Sequence, residues 1–67
     1  MNKMNEMNSN QQRAFNEALK NEGVKLKKQY IKNGKLYYLC VNEYGDEVEL
    51  SITWAGDKIL NQSWSDV

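Results

Sequence analysis

Sixty-seven residues give room for one domain, and the chain has a single cysteine, Cys40, and no histidine. That composition excludes an intrachain disulfide, a Cys/His zinc site and the imidazole base that serine and cysteine nucleophiles ordinarily use. Net charge is zero but unevenly laid out: Lys20 to Lys35 holds six lysines against Glu22, and Glu43 to Val67 holds six acids against Lys58.

A domain of this size buries only about 60% of the surface its unfolded chain exposes, so its stability margin is thin. No stretch approaches the ~18 apolar residues of a membrane span. The first ten residues are polar with no apolar run behind them, so no signal peptide is expected, and with a lone thiol a cytoplasmic location is the expectation. Eight lysines to one arginine, together with nine asparagines, fit an AT-rich coding sequence such as those of low-GC bacteria and their phages.

The opening Met-Asn repeat, with Met1, Met4 and Met7, reads as a flexible tail over residues 1–8, leaving 9–67 as the folded domain. Ser9 with Gln12 three residues on has the form of a capping box. Ala14, Phe15, Ala18 and Leu19 recur at helical spacing and Gly23 stands where a left-handed cap belongs, so a helix is predicted over 10–22. Thirteen residues are marginal alone, and Phe15, Ala18 and Leu19 must dock on another element.

Beyond Gly23 the apolar period becomes two. Asn33-Gly34 favours a type I′ hairpin turn, while Gly45-Asp46 and Gly56-Asp57 suit type II′ turns with glycine first. Four strands follow, near 24–32, 35–44, 47–55 and 58–64. Two-residue turns would pair Tyr30 with Tyr37, Lys28 with Leu39, Leu26 with Val41, Val41 with Leu50, Leu39 with Ile52, Tyr37 with Trp54, and Trp54 with Ile59. Side chains alternate along a strand, so this register gathers Val24, Leu26, Tyr30, Tyr37, Leu39, Val41, Val48, Leu50, Ile52, Trp54 and Ile59 on one face. The expected fold is α+β: an N-terminal helix packed on one face of a four-stranded antiparallel meander, αββββ. Lys28 misfits the apolar face, as a snorkelling edge residue or as the mark of a bulge.

The same register leaves Ile31, Leu36, Tyr38, Cys40, Leu60 and Trp64 on the face without the helix. Such an apolar set is the makings of a protein contact patch, with Tyr38, Leu60 and Trp64 as anchors and Leu36 and Ile31 beside them. The leading functional expectation is thus a small non-catalytic protein-binding module, a regulator or inhibitor of phage or mobile-element type. A nucleic-acid binder using Lys25, Lys27, Lys32 and Lys35 of the first hairpin is the alternative, because lysines interleaved with aromatics are the means of holding single strands. A homo-oligomer of sheets packed back to back is the third. No cofactor or metal is expected: the acids Glu43, Asp46, Glu47 and Glu49 lack calcium-loop spacing, phosphate-loop motifs are missing, and mid-strand Cys40 has no neighbouring base.

Overall fold

The computed structural model describes residues 7–67, in which one helix precedes four antiparallel strands. Helix α1 covers Ser9–Glu22, β1 Val24–Lys32, β2 Lys35–Asn42, β3 Glu47–Ala55 and β4 Lys58–Asp66. The strands lie in chain order across the sheet, and α1 packs on one face through Phe15 and Leu19, as the αββββ reading expects. None of its helices is long and apolar enough to cross a membrane, among the described residues.

The helix starts one residue earlier than a Ser9 cap implies. Asn8 is the N-cap: its Oδ1 accepts the Gln11 amide at 2.8 Å, and Gln11 Oε1 accepts the Asn8 amide at 3.1 Å. Asparagine caps as well as serine, and Gln11 returns the bond that Gln12 would have returned to Ser9. Gly23 closes the helix at φ 75°, donating its amide to the carbonyls of Leu19 and Lys20. Of the expected tail, 1–6 (with Met1 and Met4) lies outside the described residues, whereas Met7 packs against the core. The N-terminus of α1 is also tied to the β3–β4 turn. Asn10 and Asn8 donate side-chain amide hydrogens to the two Asp57 carboxylate oxygens at 2.9 and 2.7 Å, and both bonds hold that carboxyl below its ordinary range.

The first hairpin begins as its turn dictates. Asn33 (φ 55°) and Gly34 (φ 76°) both take the positive φ of a type I′ turn, and Tyr30 lies opposite Tyr37 and Lys28 opposite Leu39. Lys27 is then an extra residue: beyond it Leu26 faces Cys40, not Val41. A bulge is one of the two explanations that Lys28 allowed, but Lys28 keeps its place opposite Leu39, and the side on which that pair lies is set by the second hairpin.

The second hairpin departs from the expected register. Asn42 and Asp46 close a three-residue loop, with the Asn42 amide donating to the Asp46 carbonyl at 3.0 Å and the Gly45 amide to the Asn42 carbonyl at 3.1 Å. Asn42 Oδ1 also accepts the amides of Tyr44 and Asp46, each at 2.9 Å. Tyr38 therefore faces Leu50 and Val41 faces Glu47, a shift of three residues from the pairing of Val41 with Leu50. An odd shift exchanges the faces of β2 relative to β3. The core consequently takes Tyr38 and Cys40 with Leu50, Phe15 and Leu19, while Leu36, Val48, Ile52, Trp54 and Trp64 pack around it. Phe15 and Tyr38 meet ring to ring with centroids 4.7 Å apart.

The third turn pairs Trp54 with Ile59 as expected, but Thr53 pairs with Asn61, making Leu60 a bulge residue. Past the bulge the faces of β4 exchange too, and Trp64 comes opposite Leu50 on the helix side. The proposed contact patch is thereby corrected residue by residue. Tyr38 is core and 3% exposed, Leu36 and Trp64 pack on the core, and Ile31 pairs with Leu36 on the helix side of β1. Leu60 is exposed, but on the opposite edge strand from Ile31.

This arrangement separates two adjacent tyrosines. Tyr38→Ala should cost about 3–5 kcal/mol, as aromatic truncation in a core does. Tyr37→Ala, on the other face, should cost less than half as much in the same urea titration. Equal losses would contradict the assignment of faces.

Candidate functional site

The uncovered face of the sheet is built mainly by the first hairpin. Strand alternation and the bulge at Lys27 bring Lys25, Lys28, Tyr30 and Lys32 of β1 to the same side as Lys35, Tyr37, Leu39 and Val41 of β2. Glu47 and Glu49 of β3 stand next to them, opposite Val41 and Leu39. Farther across, the face is small and polar, with Ser51 opposite Ser63 and Thr53 opposite Asn61. Leu39 is 6% exposed yet outside the helix-side core, so this face has a small buried centre of its own.

The two tyrosines lie side by side, ring centroids 6.1 Å apart and planes at 33°. Lysine ammonium groups sit over their faces: Lys28 Nζ is 5.9 Å from the Tyr30 ring centre, and Lys32 and Lys35 Nζ are 4.9 and 5.9 Å from that of Tyr37. Each contact is a cation–π attraction, worth about 0.5–1 kcal/mol where exposed. Five lysines, Lys25, Lys27, Lys28, Lys32 and Lys35, thus share a face with two carboxylates, an excess of three positive charges in a neutral chain.

Both carboxylates are engaged. Lys27 pairs with Glu47, and Glu49 accepts from the Tyr30 hydroxyl and from Lys32 Nζ at 3.2 Å. The bond to Glu49 raises the Tyr30 hydroxyl to about 12. The same hydrogen bond, with that of Lys32, holds the Glu49 carboxyl below its ordinary range despite the opposing effect of desolvation. Folding thus favours protonated Tyr30 and ionised Glu49. The first contribution is whole below the ordinary tyrosine range of about 10 and lost as pH rises toward 12, and the second is lost as pH falls through the carboxylate range.

Of the residues expected to hold nucleic acid, Lys25, Lys32 and Lys35 share this face, and Lys27 reaches it from the bulge. The expected protein anchors Tyr38, Leu36 and Trp64 do not, nor does Ile31. Sequence reasoning left Lys28 as a misfit on the core face and set Tyr30 and Tyr37 in the core. The signal it passed over is Asn42, an asparagine just before a Glu-Tyr-Gly loop, where its side chain can accept the loop amides. Cys40 is fully buried, its thiol pushed up by desolvation, the opposite of an activated thiolate. Among the described residues, no three acids or cysteines gather closely enough to hold a metal ion.

Tyrosinate absorbance checks the Tyr30–Glu49 contact. Tyr30→Phe should delete a step centred near pH 12, and Glu49→Gln should bring that step down toward the ordinary range. A Glu49→Gln curve identical to the parent would contradict the contact.

No protein-family model, curated protein or solved structure matches the chain.

Proposed function

We propose that the protein is a non-catalytic binding module that holds single-stranded nucleic acid on the helix-free face of its sheet. Lysines 25, 28, 32 and 35 contact phosphates, and Tyr37 with Tyr30 offers the platform on which bases stack. The observation that supports this reading is the shared side of Tyr30, Tyr37 and those lysines, opposite the helix. Aromatic rings set among basic side chains on an open sheet bind single strands without needing a base-specific code. A base arriving on Tyr37 displaces the ammonium groups of Lys32 and Lys35 from the ring, and phosphate receives them.

Neither competing reading draws comparable support. A protein partner would need apolar anchors near one another, yet Tyr38, Leu36 and Trp64 pack with the core while Ile31 and Leu60 sit on opposite edge strands. Back-to-back packing of two sheets would set five lysines of one copy against the same five of the other, a like-charge arrangement that opposes association.

Fluorescence anisotropy with a labelled single-stranded oligonucleotide tests the proposal. Binding is expected at ~50 mM salt, with log affinity falling linearly in log salt and a slope smaller by about 0.7 for each of Lys28→Gln and Lys35→Gln. Tyr37→Ala should lose about 1–3 kcal/mol of binding, the worth of one stacked base. Arg13→Gln, on the helix, should change little. Absence of binding at tens of micromolar protein and ~50 mM salt contradicts the proposal. Indifference to Tyr37→Ala, with heparin bound as tightly as the oligonucleotide, reduces it to attraction for any polyanion.

A further inference from the structure

The two glutamates on the basic face need an account that the binding reading does not supply. A surface for polyanions gains nothing from carboxylates on its lysines, yet Glu47 takes Lys27 and Glu49 takes Lys32. The Glu49 pairing is not an accident of a loose surface chain. Glu49 is 16% exposed at its side chain and is fixed by a second donor, the Tyr30 hydroxyl. Its position opposite Leu39, at the buried centre of the face, directs the carboxylate toward the β1 side chains. A carboxylate is the nearest protein equivalent of a phosphate oxygen pair: anionic, acceptor-only, and matched to an ammonium donor.

We infer that Glu49, and secondarily Glu47, are affinity-limiting residues of the nucleic-acid face, intramolecular stand-ins that a phosphate must displace from Lys32 and Lys27. The inference rests on the nucleic-acid reading and refines it. Each phosphate that reaches one of these lysines exchanges one ion pair for another, so the gain is small and the bound strand leaves readily. Lys25, Lys28 and Lys35 hold no carboxylate among the described residues and make the first contacts. The charged and titratable groups facing Glu49 are Tyr30, Lys32 and Lys28 from β1 and Tyr37 from β2, and on β3 itself Glu47 lies two residues away on the same side.

The experiment compares oligonucleotide affinity of the parent chain with Glu49→Gln, Glu47→Gln and, as a control, Asp46→Asn in the turn. Glutamine keeps an acceptor for the Tyr30 hydroxyl and removes the charge. Returning one lysine to phosphate contact adds about 0.7 to the salt slope, which is about eightfold in affinity at ~50 mM salt relative to 1 M. Glu49→Gln should show that gain, Asp46→Asn should not, and Lys32→Gln added to Glu49→Gln should abolish it. Glu47→Gln should gain similarly, and it serves as the test if Glu49→Gln melts well below the parent. Parent binding with no gain, or a loss, in a folded Glu49→Gln chain overturns the inference while leaving the binding reading in place. Failure of every variant and the parent to bind overturns both.

Discussion

The side chain of Asn42 accepts the amide hydrogens of Tyr44 and Asp46, and the three-residue loop it holds sets how β2 lies against β3. The energy in those two bonds is modest, about 1 kcal/mol each net of water. Their consequence is large because side chains on a strand alternate with period two. β3 presents Val48, Leu50, Ile52 and Trp54 on one side in any register, and these need cover from the helix. β2 has apolar residues at every position from Leu36 to Val41, so either of its faces would serve as core. The loop decides between them.

From that decision the rest of the molecule follows. With Tyr38 and Cys40 on the side of Leu50, Phe15 packs its ring at a tilt against Tyr38 and Leu19 closes the same cluster. The helix is held in place at its ends, by the Asn8 cap and the Asp57 tether at one and Gly23 at the other. Tyr37, Leu39 and Val41 are left to the far side, where β1 brings Tyr30 and its lysines against them. One polar side chain in a turn thereby determines that the open face is basic and aromatic rather than apolar.

The architecture was legible in the sequence because its signals are local. Gly23, Asn33-Gly34, Gly45 and Gly56 mark the element ends, and the change of period at Gly23 separates helix from sheet. The faces were not legible, since they depend on counting residues through turns and bulges. Asn33-Gly34 fixes its hairpin without ambiguity, and the pairing of Tyr30 with Tyr37 follows. The segment Asn42-Glu43-Tyr44-Gly45-Asp46 admits a two-residue or a three-residue loop, and the bulges at Lys27 and Leu60 carry no distinctive residue at all. Each miscount of one or three residues reverses a face, which is why Tyr38 and Trp64 belong to the core and Tyr30 and Tyr37 to the surface. Lys28, Lys32 and Lys35 change sides together with Tyr30 and Tyr37, whereas the bulge at Lys27 keeps Lys25 on the open face.

Nuclear Overhauser contacts tests this assignment of faces most directly in solution. The account predicts contacts from the Phe15 ring to the Tyr38 ring and none to Tyr37, and cross-strand backbone contacts joining Tyr38 to Leu50 and Val41 to Glu47. Contacts from Phe15 to Tyr37, with Val41 opposite Leu50, would mean a two-residue turn at Gly45-Asp46, an apolar open face and no basic aromatic platform.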